Sequence, residues 1–224
     1  MRSCCLPRDM PDAGAGLVNR LVTQRVHLLR GEHLYRSNEA VRHRLYAIQS
    51  GQFKTYHLSS DGEQRITGFQ FVGDFLGLDA IGLTYYRNST MALSDVVVCE
   101  FSHARLVDAA QHCEALALHL RELLSKQLSL AQTTTLLLAN RADQKLSAFL
   151  LALPSKRADD EPDRQVLEIN MSRADIGAYL GLADTTVSRT LSRFQRQGYL
   201  ALRHHQLAIT DAAGLRAIAS RNAP

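Results

Sequence analysis

No stretch of this 224-residue chain approaches the roughly twenty consecutive apolar residues that a membrane-spanning helix needs. Arg2 and Arg8 stand near the N-terminus, but no apolar run follows them as it would in a secretory leader. The cytoplasm is therefore the expected compartment. Cysteine is scarce as well: the four present are Cys4, its neighbour Cys5, Cys99 and Cys113. That set excludes the framework of a small secreted disulfide domain. Catalytic signatures are also missing, for there is no nucleophile elbow, zinc-type histidine pair or phosphate loop. Ser94, Asp95 and His103 are close in sequence, but closeness is not a triad, and no enzyme is expected.

Two further absences are local. From about Ala104 to Leu153 there is neither glycine nor proline, which is what long helical structure requires. Within it Leu124, Leu128, Ala131, Thr135 and Leu138 alternate spacings of four and three, the pattern of a coiled-coil seam. Leu116, Leu120, Leu123, Leu130 and Leu137 offer a second apolar face. A helix apolar on two sides can pack on its own domain and on a second chain, so a homodimer is expected; burial within one chain is the alternative that the pattern leaves open. The second absence is of acid: no Asp or Glu occurs between Asp184 and Asp211, whereas Arg189, Arg193, Arg196, Arg203, His204 and His205 all do. The chain's net charge of +4 is thus less telling than its placement, one compact basic face near the C-terminus.

What is present falls into three stretches. From about Val26 to Phe101, short strand-like runs (Leu34–Tyr35, Leu45–Ile48, Phe53–Leu58, Ile66–Phe71, Met91–Phe101) alternate with glycines at 31, 51, 62, 73, 77 and 82, which predicts a β-barrel or roll. Asp61-Gly62 reads as a hairpin turn. The leucine-rich segment follows, and then the polar, proline-bounded run from Pro154 to Asp163 opens the last domain. The resulting division is 1–103, 104–153 and 154–224.

In the last domain, Arg173 to Ser192 has what two helices meeting through a tight turn require. Ser172 and Asp175 form a capping box; Ile176, Leu180, Leu182, Val187 and Leu191 supply a shared core; Gly177 leaves room for close approach and Gly181 permits the turn. Asp184 is the expected cap of a second helix running from Thr185 to Gln197 and ending at Gly198. Such a helix fits the major groove of double-stranded DNA, its first exposed turn reaching base edges. Arg189 is the candidate for a bidentate guanine contact, with Ser188 and Thr185 beside it and Arg193 and Arg196 on the phosphates. Tyr199–Leu202 and Gln206–Ile209 read as a hairpin wing.

Long ordered motifs carry a resemblance over almost the whole chain. Leu45-Tyr46-Ala47-Ile48-Gln49-Ser50-Gly51, Ile66-Thr67-Gly68-Phe69, the run from Gly73 to Gly82, the run from Asp175 to Leu182, Val187-Ser188-Arg189 and Arg193-Phe194-Gln195 resemble the CRP/FNR family of bacterial transcription regulators, specifically its oxygen-responsive FNR branch. The resemblance implies an α+β chain: an N-terminal β-roll of the cyclic-nucleotide-binding kind, a long dimerisation helix and a C-terminal winged helix-turn-helix. It further implies a palindromic operator with TTGAT-like half-sites, a response to oxygen, redox state or nitric oxide, and contact with RNA polymerase through Asp61, Gly62 and Glu63.

Departures from the family pattern carry their own expectations. Thr185 stands where the branch reads DNA with glutamate, so base preference at one position is expected to change. The branch holds a 4Fe–4S cluster on four cysteines, and only Cys5 and Cys99 match, leaving two ligands missing. Haem is the other cofactor the family offers, yet none of the nine histidines has a spacing that marks an axial ligand. Ala131 replaces an aspartate that opposes pairing in the oxygen sensor, which removes a desolvation cost from the seam and implies a constitutive dimer. Cyclic AMP is disfavoured: Leu78 follows Gly77 where nucleotide binders place an acid for the ribose, and Asn88 separates Arg87 from Ser89.

Overall fold

The computed structural model describes residues 19–59, 61–137, 140–154, 156–157, 165–203 and 206–220. The chain divides into two compact units, residues 1–130 and 131–224.

The first unit carries strands β1 (Val22–Leu28), β2 (His33–Tyr35), β3 (Arg44–Ser50), β4 (Phe53–Leu58), β5 (Gln64–Gln70), β6 (Phe75–Leu76), β7 (Ser89–Ala92) and β8 (Val96–Ser102). They form two antiparallel sheets of four strands, ordered β1-β8-β3-β6 and β2-β7-β4-β5. Helix α1 (His103–His112) follows, and then α2 (Glu114–Leu137), within which the first unit ends. Period-two alternation explains the near-continuous apolar runs of β3 and β8. Tyr46, Ile48, Val96 and Val98 point to the core between the sheets, with Tyr35, Phe53, Leu76 and Tyr86. Leu45, Ala47, Cys99 and Phe101 point the other way, onto Leu106, Leu116 and Leu123 of the helices. A sheet covered on both faces has no use for polar alternation.

The β-roll is as expected, with three differences in detail. Met91–Phe101 is two strands, because Ser94 and Asp95 turn the chain: Ser94 Oγ accepts the Gln52 N–H at 3.2 Å, and Asp95 Oδ1 accepts the Arg30 N–H at 3.1 Å. Strand β1 begins four residues before Val26, as an edge strand whose outward polar side chains hide it from pattern reading. The leucine-rich stretch is three helices, interrupted at Cys113, which is extended (φ −138°, ψ 99°), and again before α3 (Ala142–Ala152). Of the second apolar face, Leu116 and Leu123 are buried and Leu120 packs beside them, but Leu130 is exposed. The side chains of Thr135 and Leu137, and all of Leu138, lie outside the described residues.

The second unit contains α3, β9 (Lys156–Arg157), β10 (Gln165–Glu168), α4 (Arg173–Leu180), α5 (Asp184–Arg196), β11 (Leu200–Arg203), β12 (Gln206–Ile209) and α6 (Ala212–Ala219). The strands form one antiparallel sheet, β11-β12-β10-β9, whose β11–β12 hairpin pairs Leu200 with Ile209 and Arg203 with Gln206. The helices of this unit bury Leu146, Leu150, Ile176, Leu180, Val187, Leu191, Phe194 and Leu215. This is the expected winged helix-turn-helix.

Gly177 is closed against backbone at the turn between α4 and α5. A Cβ built there would lie 2.5 Å from the Leu182 carbonyl oxygen, a backbone atom that accepts no displacement without opening the turn. Gly177→Ala is expected to cost about 1–3 kcal/mol, as overpacking of a closed core does. A urea-unfolding midpoint equal to that of the wild type would show that the turn can yield.

Candidate nucleic-acid interface

The two helices are set by local chemistry. Ser172 Oγ accepts the Asp175 N–H at 3.0 Å while the Asp175 carboxylate accepts the Ser172 N–H at 3.2 Å, closing the capping box at the start of α4. The helix ends at Gly181 in the left-handed region (φ 63°, ψ 44°), whose N–H donates to the Gly177 carbonyl. Only Leu182 and Ala183 then separate Gly181 from α5.

The cap of α5 differs from expectation. Ala183, extended at φ −65° and ψ 145°, is the N-cap, and Asp184 is the first helical residue. The Asp184 carboxylate instead accepts the Thr185 N–H at 2.6 Å. A carboxylate in the first turn still complements the positive end of the helix dipole, so the sequence signal was correct in kind and displaced by one position.

Val187, Thr190, Leu191 and Phe194 form the buried face of α5. Opposite them Thr185, Ser188, Arg189, Ser192 and Arg196 are exposed along one stripe. Ser192 is a member that the sequence reading missed, although it sits seven residues after Thr185 and four after Ser188, the helical repeat that a groove-facing side requires. Arg189 Nε donates to the Thr185 carbonyl at 3.3 Å, which leaves its two terminal nitrogens for the fork geometry that guanine accepts. Arg193 behaves differently: Nη2 lies 3.6 Å from Asp143 Oδ2 on α3. Arg203 is exposed at the end of β11, and His204 and His205 lie outside the described residues. Arg173, half-buried in the first turn of α4, was also missed; burial lowers its guanidinium pKa.

The other predicted positions distribute as follows. Leu124 and Leu128 of the seam are 48% and 63% exposed, and Ala131 is exposed too. Asp61, Gly62 and Glu63 form an exposed hairpin tip, ordered by the Ser59 hydroxyl, which donates to the Asp61 carboxylate and holds its pKa below the ordinary value. Cys99 is fully buried between the first sheet and the helices, while Cys5 lies outside the described residues. No group of three or more His, Cys, Asp or Glu side chains among the described residues could hold a metal ion. The described residues alone do not supply the four ligands of a cluster.

The roll also holds Leu78 and Ser89, the residues on which the sequence expectation about cyclic AMP rests. Leu78 opens a 3-10 turn and carries no acceptor for a ribose hydroxyl. The Ser89 hydroxyl is buried and accepts the Ser37 N–H at 3.0 Å. Tyr35 and Tyr86 stack at 4.0 Å between centroids inside the roll, where burial raises the pKa of both phenols.

Comparison with known proteins agrees with this geometry. A Crp-like helix-turn-helix domain model matches residues 144–218, and a cyclic nucleotide-binding domain model matches residues 25–113. The chain is 31% identical over 216 residues to the fumarate and nitrate reduction regulatory proteins of Salmonella typhimurium and Escherichia coli K12, covering 96% of this chain and 86% of each relative. Among solved structures, FixK2 of Bradyrhizobium japonicum superposes with a TM-score of 0.77 at 28% identity, covering 91% of this chain and 100% of that one. A CRP-family regulator from Thermus thermophilus, at 21% identity and a TM-score of 0.70 over 88% of this chain and 97% of that one, shares the fold. Among the described residues no helix is long and apolar enough to cross a membrane. The chain belongs to the CRP/FNR family, whose members are helix-turn-helix transcription regulators and not enzymes.

Proposed function

We propose that this regulator works in the cytoplasm as a homodimer on a two-fold symmetric operator, presenting one recognition helix to each half-site. The observation that carries the reading is the stripe of Thr185, Ser188, Arg189, Ser192 and Arg196, exposed opposite a fully packed face and followed by no acid until Asp211. Phosphates repel carboxylates, so a helix face cleared of them and lined with short hydroxyls and guanidinium groups suits a DNA groove. The exposed Leu124 and Leu128 support pairing of two chains. The Asp61–Glu63 tip is the surface we assign to RNA polymerase. The relatives' names refer to fumarate and nitrate reduction, and we carry the same class of anaerobic respiratory control to this chain. A visible spectrum with iron, sulfide and haem assays on anaerobically purified protein identifies any resident cofactor.

Selection of bound duplexes from a random pool tests the operator reading. The expected product is a palindrome with half-site centres about 10–10.5 base pairs apart; random sequences would overturn it. The same selection resolves position 185. Threonine's hydroxyl is too short to take the place of a glutamate that accepts from cytosine's amino group, so Thr185→Glu is expected to sharpen preference at one base pair per half-site by about 1–3 kcal/mol. Identical selected sequences for the two proteins would refute that assignment.

A further inference from the structure

We propose that Arg193 is a positioning residue that fixes the recognition helix against α3, and that it does not bind DNA phosphate. The inference deepens the operator reading above and rests on it. Arg193 lies eight residues after Thr185, which at 100° per residue rotates it about 80° from the centre of the exposed stripe, toward the packed flank. Its Nη2 sits 3.6 Å from Asp143 Oδ2, the two side chains being 46% and 30% exposed. Its Cζ lies 5.8 Å from the centroid of the buried Phe194 ring. The guanidinium thus rests between a carboxylate and the face of an aromatic ring of its own domain.

Asp143 is itself held. Its other oxygen accepts the Gln144 N–H at 3.1 Å, and Gln144 Oε1 accepts the Arg141 N–H at 3.0 Å at the start of α3. The ion pair therefore ties the DNA-reading helix to the first turn of α3, the helix that follows directly on α2. A phosphate approaching Arg193 would also meet the Asp143 carboxylate, so the pair presents almost no net charge to the backbone. Arg189 and Arg196 have no carboxylate partner among the described residues, which is what a guanidinium reserved for DNA requires.

The two roles give opposite signs in one experiment. Binding of the wild type, Arg193→Ala, Asp143→Asn and the swap Asp143→Arg with Arg193→Asp is measured against salt, on the selected operator and on a random-sequence duplex. If Arg193 positions the helix, Arg193→Ala and Asp143→Asn each weaken operator binding by a similar factor of about two to five, as a partly exposed ion pair allows. Their salt slopes stay at the wild-type value, and the swap recovers most of the loss. A phosphate contact predicts the reverse: a slope reduced by about one in Arg193→Ala, unchanged or tighter binding in Asp143→Asn, and no rescue by the swap. Any of those three results overturns the proposal. Asp143→Asn keeps shape and one hydrogen-bonding oxygen, so the test survives even where Arg193→Ala unfolds. Failure of the wild type to select an operator would instead sink the operator reading, and the slope on random duplex would still decide the role of Arg193.

Discussion

Arg189→Ala is expected to weaken binding to the selected operator by about 1–3 kcal/mol, roughly 5- to 150-fold, while affinity for random duplex falls much less. The reason lies in how the side chain is held. Its Nε donates to the Thr185 carbonyl one turn back, so the guanidinium plane is oriented before DNA arrives and its two terminal nitrogens remain for the paired acceptors of guanine. Lysine would keep the charge and lose the fork, being a compact ammonium. Arg189→Lys is therefore expected to retain most non-specific binding, with a salt slope near that of the wild type, yet to lose selectivity at one base pair per half-site. Parallel selections with the wild type, alanine and lysine variants make the comparison. A lysine protein with undiminished selectivity would assign Arg189 to the backbone and place base reading elsewhere on the stripe.

Residue types announced some features of this chain and tertiary context decided others. The turn between α4 and α5 was legible because Gly177 and Gly181 are there for steric reasons: a Cβ at the first meets the Leu182 carbonyl, and the second adopts a left-handed φ. Ser188 and Arg189 were legible because the buried positions of an amphipathic helix fix which positions remain outside. Arg193 was not, since its partner Asp143 stands fifty residues earlier and long-range ion pairs leave no trace in local spacing. The break at Cys113 also escaped notice. No glycine or proline marks it, and the chain turns there although every residue around it tolerates helix. Expectation was weakest where strands are buried on both faces, as in β8, or only edge-paired, as in β1, because neither shows clean alternation.

The seam on α2 yields the other large effect: the double substitution Leu124→Glu with Leu128→Glu is expected to give a monomer at micromolar concentration in sedimentation. Both leucines are exposed in the single chain, so neither change removes core packing within it, and the thermal midpoint of each unit is expected to hold. In a symmetric pair each position is buried twice, and a fully buried leucine contributes about 1.5–3 kcal/mol. Because Leu124 and Leu128 are already partly covered in the single chain, 48% and 63% exposed, the two positions supply on the order of 3–7 kcal/mol of gross stabilisation, against an association cost of about 4–15 kcal/mol. Removing that contribution and setting glutamates opposite one another shifts the balance decisively toward separate chains. DNA binding should fail with it, because a monomer engages one half-site and its affinity drops to that of a single recognition helix with its phosphate contacts. A variant that remains dimeric and still protects both half-sites in a footprint would show that the chains pair through another surface. In that event Leu124 and Leu128 would have to be covered by something other than their symmetry mates.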